Sequence, residues 1–341
     1  MPAPFQNYHV AEDLAGQTLA AFLRHALEGK SWNQVRRLIH KRHVQVNGNL
    51  CMDEGRRLKG TDVVKVWEQP VAGPVEATDL PLIYLDRHLV VVEKPAGVTS
   101  TRHQEEKNWS ARRKQFQPTL DELLPKAVQM KEKGRKAEPR KGAQRSPYGS
   151  REEHPAGKLP PIRAVHRLDR ETSGLMVFAR SKEAEEGLIQ QFRNHENERV
   201  YLAIVVGHIE AQKIESHLVV DRGDGRRGST TLKNVGKHAV THVRPLEQAA
   251  GYTLIECQLE TGRTHQIRIH LSEAGHPICG DKLYNHPLGG KIIADRSGAR
   301  RQALHACELV FLHPVKMEEM RFRKNLPDDL LELWERLKQE K

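Results

Sequence analysis

The residue types best suited to chemistry are concentrated in a short stretch from His166 to Gly174, with the sequence HRLDRETSG. Asp169 lies between Arg167 and Arg170, whose positive charges favour an ionised carboxylate that is available as a nucleophile or a base. The same arrangement also suits a structural ion pair in an ordinary turn, since Asp followed by Thr, Ser and Gly is a common turn composition. The residues alone therefore make Asp169 a candidate catalytic carboxylate and leave the structural alternative open.

A second dense stretch, TGRTHQIRIH, covers residues 261–270 directly after a predicted strand. The apolar residues that follow recur at helical spacing, so we predict a helix that is capped by Thr264 and stops before Gly275. Arg268 would then lie beside the buried face of this helix. Because a guanidinium cannot lose its charge there, Arg268 needs a carboxylate or a phosphate as its partner.

The other candidate residues indicate neither a metal site nor a nucleotide cofactor. His265 and His270 would be about 140° apart on a helix, whereas zinc-binding helices place their histidines four positions apart. The cysteines form no C-x-x-C pair, and the motifs G-x-S-x-G, G-x-x-x-x-G-K-[ST] and G-x-G-x-x-G are absent. One strong carboxylate, where a glycosidase needs two, also disfavours hydrolase chemistry.

The elements that must position these residues are mostly short strands. Four apolar runs from residue 80 onward are predicted strands: Leu82–Leu85, Leu89–Glu93, Leu175–Ala179 and Tyr201–Val206. A fifth strand at Ile255–Leu259 alternates apolar and polar residues, and Ser181 is the predicted N-cap of an amphipathic helix. Because strands outnumber helices and do not alternate regularly with them, we predict an α+β fold with a mixed sheet and packed helices.

The first 70 residues form a separate α/β pattern. Apolar residues from Leu19 to Leu27 recur at helical spacing, and a second helix begins after Ser31, which is spaced from Gln34 as in a capping box. A hairpin is predicted at Asn47-Gly48. Four basic residues near the second helix can bind phosphates without reading sequence: Arg36, Arg37, Lys41 and Arg42. A helical domain whose exposed face happens to be basic is the alternative.

The charge balance favours a nucleic acid as the partner. The 341 residues include 55 Lys and Arg against 44 Asp and Glu, which gives a formal charge of +11. No apolar run approaches the roughly 18 residues that cross a bilayer, and residues 1–13 do not resemble a signal peptide. We therefore expect no membrane association and a cytoplasmic location.

The excess charge is concentrated between residues 101 and 160, which hold 15 Lys and Arg against 8 Asp and Glu. Within this region, Lys131–Lys158 lacks Val, Ile, Leu, Phe and Met and contains several Gly and Pro, so it cannot bury a core. We predict a flexible basic insertion at about residues 129–160. A solvated loop without a role in binding is an equally open interpretation.

Two parts of the sequence resemble known families. Residues 12–70, with a basic second helix before a V-x-V-N-G hairpin, resemble the small RNA-binding module first seen in ribosomal protein S-four. The rest resembles the RluA-type pseudouridine synthases, whose motifs occur here in the same order: Lys94–Gly97, His166–Gly174, Tyr201–Gly207, Gly262–His270 and Leu304–Ala306.

This resemblance implies an isomerase that converts uridine in RNA to its carbon-linked form without a cofactor, in a largely antiparallel catalytic domain over residues 80–325. It implies that Asp169 is the essential carboxylate and that Arg268 pairs with it. Tyr201 would stack on the uracil, and Arg167 would enter the RNA stack as the target nucleotide leaves it. Extruding a base costs a few kcal/mol, and an aromatic face with a cationic wedge would offset that cost.

By the same resemblance, the N-terminal module favours large-subunit ribosomal RNA as the substrate. A transfer-RNA pseudouridine synthase is one alternative. A non-catalytic RNA-binding or ribosome-assembly factor is another, although the presence of Asp169, Tyr201 and Arg268 argues against it. We expect a monomer by default.

Overall fold

The computed structural model describes residues 5–71, 73–137, 161–232 and 234–340, which fold as two compact units. The first unit comprises the chain up to Glu76 together with Arg102–Thr119. The second comprises Ala77–Thr101 and the chain from Leu120 onward. In these ranges no helix is both long and apolar enough to cross a membrane.

The first unit combines a four-stranded antiparallel sheet with short helices. Its elements are β1 (Phe5–His9), α1 (Leu19–Ala26), α2 (Trp32–His40), β2 (Val44–Val46), β3 (Asn49–Leu50), β4 (Val63–Trp67) and α3 (Ala111–Phe116). The strands lie in the order β1-β4-β2-β3, so the sheet includes a strand that precedes residue 12. The predicted capping box at Ser31 and the hairpin at Asn47-Gly48 are confirmed. Leu23, Ile39 and Val64 are fully buried in the core of this unit.

The second unit is built on an eleven-stranded sheet. Its strands are β5 (Leu82–Leu85), β6 (Leu89–Lys94), β7 (Arg163–Ala164), β8 (Ser173–Ala179), β9 (Glu198–Val206), β10 (Gln212–Val219), β11 (Gly228–Thr230), β12 (Lys237–Ala249), β13 (Tyr252–Leu259), β14 (Leu304–Leu312) and β15 (Glu319–Arg323). Its helices are α4 (Leu120–Ala137), α5 (Lys182–Asn194), α6 (Gln266–Glu273) and α7 (Asp328–Gln339).

The sheet of the second unit is mixed and largely antiparallel. The strands lie in the order β11-β10-β12-β13-β9-β14-β8-β6-β5, with β15 paired to β14 and β7 paired to β8. Among the described strands, β8 and β14 form the one parallel pair. The predicted α+β fold is therefore confirmed, as is the N-cap of α5 at Ser181.

Helix α4 corrects part of the prediction for the basic insertion. The helix continues to Ala137, so residues 131–137 are helical and not an irregular loop. Leu124 and Val128 are buried at helical spacing, and the next position on that face, Glu132, forms an ion pair with Arg180 at 2.6 Å. This contact with another element extends the helix beyond its last apolar residue. The remainder of the predicted insertion, residues 138–160, lies outside the described residues.

Helix α6 begins at Gln266, and its N-cap is His265, so the prediction that Thr264 caps this helix is wrong. His265 has a left-handed backbone with φ of 60°, and its Nδ1 lies 2.8 Å from the hydroxyl oxygen of Tyr284. A contact between distant residues therefore sets the start of the helix. The predicted stop is confirmed, since α6 ends before Gly275, which has φ of 86°.

Candidate active site

A cleft of about 120 Å³ in the second unit brings together four segments that are far apart in the sequence. Its walls come from the loop before β8, the start of β9, the end of β13 with the turn into α6, and the start of β14. A water molecule needs only about 10–15 Å³ on the same measure, so the cleft has room for a planar ring.

The centre of the cleft is an arginine held between two carboxylates. Arg268 Nη1 lies 2.9 Å from Asp169 Oδ2, while its Nε and Nη2 lie 2.6 and 2.9 Å from the two oxygens of Asp281. The side chain of Asp281 is fully buried, whereas that of Asp169 keeps 17 % of its surface exposed. The bidentate contact with Asp281 therefore orients Arg268, and Asp169 is the partner that a ligand can reach.

The charge of Arg268 is stabilised by these contacts. Burial by itself would lower the pKa of Arg268, but the hydrogen bonds and negative charges of Asp281 and Asp169 raise it above the ordinary value. The guanidinium of Arg268 is therefore charged at neutral pH. The carboxylate of Asp169 lies in the cleft beside this permanent positive charge.

His265 also faces Asp169, with its Nε2 3.7 Å from Asp169 Oδ1. Burial is the main reason that the pKa of His265 lies below its ordinary 6.5; Asp169 opposes this shift and Arg268 adds to it. The imidazole is therefore neutral at neutral pH, and it does not compete with Arg268 for the charge of Asp169.

The loop that carries Asp169 is held by the last residue of β6 and by the segment that follows this strand. Lys94 is fully buried, and its ammonium donates hydrogen bonds of 2.8–3.0 Å to three backbone carbonyls, those of Pro95, Val98 and Arg170. The hydroxyl of Ser100 donates to the carbonyl of Leu168 at 2.8 Å and accepts from its N–H at 3.1 Å. The backbone on both sides of Asp169 is thus fixed by distant residues.

The remaining two residues predicted for this site line the same cleft. Tyr201, on β9, is 8 % exposed, and burial raises the pKa of its phenol. Arg167 is exposed at the edge of the cleft, two positions before Asp169. The structure therefore brings Asp169, Arg167, Tyr201 and Arg268 together.

The four basic residues predicted to bind RNA belong to the first unit, and all are exposed. Arg36 and Arg37 lie on α2, whereas Lys41 and Arg42 follow its end. Arg36 Nε lies 3.4 Å from Glu54 Oε2, and both side chains are well exposed. An exposed pair of this kind contributes little, so these cations remain available to an anion.

Reasoning from the sequence gave no role in the cleft to four residues whose contacts shape it: Lys94, Arg199, His265 and Asp281. Arg199 had a local signal, since it is a charged residue two positions before Tyr201. The contact of Asp281 with Arg268 had none, because the spacing between two residues on separate elements does not reveal a contact. In the part of the chain that the structure describes, no group of three His, Cys, Asp or Glu residues could hold a metal.

Comparison with known families gives this geometry its context. Residues 88–273 match the family model described as RNA pseudouridylate synthase, and residues 17–64 match the S4 domain model. The first match covers more than half of the chain, which therefore belongs to the RNA pseudouridylate synthase family. The predicted enzyme class, an isomerase acting on uridine in RNA, is confirmed.

Relatives and solved structures agree with this assignment. The chain is 33% identical over 329 residues to a protein of Neisseria meningitidis named ribosomal large subunit pseudouridine synthase D, which covers 94% of this chain and 79% of that protein. A protein of the same name from Zymomonas mobilis is 32% identical and covers 98% of both chains. The structure of human RNA pseudouridylate synthase domain containing 4 matches with a TM-score of 0.54 at 24% identity, covering 75% of this chain and 92% of that one, and supports the fold.

Proposed function

We propose that the protein isomerises specific uridines of large-subunit ribosomal RNA, with Asp169 as its catalytic carboxylate. The observation that carries the proposal is the pairing of a partly exposed Asp169 with Arg268 in a cleft that has room for a planar ring. The choice of RNA is supported by the names of the relatives from Neisseria and Zymomonas and by the match to the S4 domain.

The reaction breaks the bond between N1 of uracil and C1′ of ribose and forms a bond from C5 to C1′. C5 loses its hydrogen and N1 gains a proton, so the product has the composition of the substrate. A carboxylate beside a fixed guanidinium can serve such a rearrangement as a nucleophile or as a base. The contact of Asp169 with Arg268 supports this role for Asp169.

Access to the uracil requires the nucleotide to leave its stack. We propose that the exposed Arg167 takes the place of the extruded base and that the ring of Tyr201 stacks on the uracil inside the cleft. The neutral phenol suits such a contact, since burial raises the pKa of Tyr201.

The first unit would supply affinity for the RNA. We propose that Arg36, Arg37, Lys41 and Arg42 contact backbone phosphates, which their exposure permits. We further propose that the protein works as a monomer in the cytoplasm, without a nucleotide cofactor.

The test is to map pseudouridines in ribosomal and transfer RNA from cells that lack the protein. Cells carrying the wild-type chain or Asp169→Asn serve as controls. We expect particular uridines of large-subunit ribosomal RNA to lose their modification, which the wild type restores and Asp169→Asn does not. Losses confined to transfer RNA would instead support the transfer-RNA alternative, and unchanged maps would support a non-catalytic factor.

A further inference from the structure

Arg199 is a buried cation in the wall of the cleft that the reaction as described does not use. It lies on β9 two residues before Tyr201, so both side chains are on the same face of the strand, about 6.6 Å apart along it. Both residues line the cleft, and only 8 % of Arg199 is exposed.

Arg199 lacks the partners that a buried guanidinium needs. Its Nε and Nη2 are buried without a hydrogen bond, and no carboxylate in the described part of the chain lies within ion-pair distance. Arg268, which lines the same cleft, is by contrast paired with two carboxylates. Leaving a buried charge unpaired is costly, so the free protein holds Arg199 in an unfavourable state.

The charges around the two arginines show the same contrast. Burial lowers the pKa of Arg199 below its ordinary value; the nearby Tyr201 opposes this shift and Arg263 adds to it. The pKa of Arg268 is instead raised by its carboxylate partners. The positive charge of Arg199 is therefore not balanced by the protein.

The surroundings of Arg199 keep its guanidinium in place. A Cβ at Gly262 would lie 2.2 Å from Arg199 Nη1, so only glycine leaves room for the guanidinium there. On another side, Arg199 Cζ lies 5.8 Å from the ring centre of Phe192, which stacks on His166 at 4.4 Å. These contacts fix the position of the side chain but satisfy none of its N–H groups.

We propose that Arg199 binds a backbone phosphate of the RNA at the nucleotide that enters the cleft. The ligand must be an anion, because the unpaired group is a permanent cation with free donors. A nucleotide whose base reaches Tyr201 and Asp169 carries one kind of anion, its phosphodiester. The spacing between Arg199 and Tyr201 along β9 suits the distance from a base to the phosphate of the same nucleotide. The identification of RNA as the ligand rests on the proposed function.

The experiment compares Arg199→Gln with the wild type on a transcript of large-subunit ribosomal RNA that carries tritium at C5 of its uridines. Release of tritium measures turnover, and filter binding measures Kd between about 50 and 200 mM KCl. The binding series uses Asp169→Asn as its background, so that no product accumulates. Thermal unfolding of the free proteins is recorded alongside.

Two further variants serve as matched controls. Arg199→Lys keeps the charge and should retain the salt dependence of binding. Arg244→Gln removes an exposed arginine that is paired with Glu256 at 2.9 Å. In the register of the sheet, Val243, Cys257 and Tyr201 are aligned, so Arg244 lies on the face opposite Tyr201.

We expect Arg199→Gln to raise KM and Kd by about tenfold or more, as for the loss of a hydrogen bond to a charged group, with a much smaller change in kcat. The slope of log Kd against log salt should fall by about 0.7–0.9, which corresponds to one phosphate. The unfolding midpoint should not fall, because the free protein loses an unpaired buried charge. Arg244→Gln should behave like the wild type.

An unchanged salt slope in Arg199→Gln would overturn the phosphate site. A lower unfolding midpoint with unchanged KM would overturn it as well, by showing a structural role. An equal fall in the salt slope of log Kd for Arg244→Gln would show that removing any arginine lowers the slope. That result would also overturn the phosphate site. Failure of the wild type to release tritium would contradict the proposed function instead, whereas the salt slope reports on Arg199 without turnover.

Discussion

The arginines of the cleft and those of the first unit are the same residue type in opposite settings. Arg268 has a side chain that is 10% exposed, and three of its nitrogens are bound by two carboxylates. Arg36 has a side chain that is 53% exposed and one contact of 3.4 Å, with Glu54. Because the strength of a charge interaction depends on burial, the first arrangement suits the orientation of reacting groups, whereas the second suits the attraction of a polyanion that salt can displace.

This contrast predicts two kinds of defect. Changes to Arg268 and to the residues that hold the Asp169 loop should lower kcat or stability at any ionic strength, because their contacts lie within the protein and not with the RNA. Changes on the exposed basic face should alter KM, and the effect should depend on salt.

The largest effect is expected for Arg268→Ala. This change releases Asp169 and leaves the fully buried Asp281 without a cationic partner, although the backbone N–H groups of Leu283 and Tyr284 still donate to it. We expect kcat to fall at least about 100-fold and the free energy of unfolding to fall by about 3–5 kcal/mol. Tritium release and urea denaturation measure the two effects.

Two milder variants separate these effects. Arg268→Lys keeps the charge but not the bidentate contact, and Asp281→Asn leaves Asp169 as the one carboxylate paired with Arg268. Both should retain more activity than Arg268→Ala. Equal activity of Arg268→Ala and the wild type would remove Arg268 from the active site.

The next largest effect is expected for Lys94→Met. This change removes a donor from the backbone carbonyls of Pro95, Val98 and Arg170, of which that of Arg170, beside Asp169, keeps only the N–H of Gly97. We expect a loss of about 3 kcal/mol in stability, measured by urea denaturation, and a lower kcat with nearly unchanged Kd. Lys182→Met, at an exposed position on α5, is the control and should change neither quantity. A Lys94→Met protein of wild-type stability would contradict the support described for the loop.

A pH effect of about 2 kcal/mol is expected from His270, which is fully buried in α6. Burial lowers the pKa of His270 from 6.5 to about 4, so below pH 6.5 the unfolded chain binds more protons than the folded one. Stability from this residue is therefore present above pH 6.5 and is lost as the pH falls toward 4. Thermal unfolding between pH 7.5 and 5 should show a smaller loss for His270→Gln than for the wild type. An equally steep loss in His270→Gln would disprove this assignment.

The smallest effect is expected for the double substitution Arg36→Gln and Arg37→Gln on α2. We expect kcat to stay the same and the slope of log Kd against log salt to fall by about 1.4–1.8 for two phosphates. Filter binding of the same transcript measures this slope, with Arg244→Gln as the control. A fall in kcat of this double variant at saturating RNA would contradict the distinction between the cleft and the exposed basic face.

Local signals in the sequence predicted the local structure well. Asn47-Gly48 makes the hairpin, and Ser31 and Ser181 cap their helices, because each of these motifs acts within a few residues. The order of the motifs was enough to predict the family. The prediction for Thr264 was wrong because a contact of His265 with Tyr284, from another part of the chain, sets the start of α6.

The sequence could not predict which residues contact the predicted residues of the cleft. Asp281 and Lys94 act through contacts that exist only after the sheet has formed, and no periodicity marks them. The sequence also did not predict strand β12. Its Pro245 argues against a central strand, yet the residue lies next to a bulge in the pairing with β13, where proline is tolerated.

The most direct test of the account is the activity of Asp169→Asn on the tritiated transcript, measured together with its Kd for the same RNA. The substitution keeps the shape of the side chain and removes its charge. We predict that tritium release falls by at least about 10³-fold while Kd changes little, since the phosphate contacts remain. Turnover near that of the wild type would contradict the central claim that this carboxylate performs the reaction.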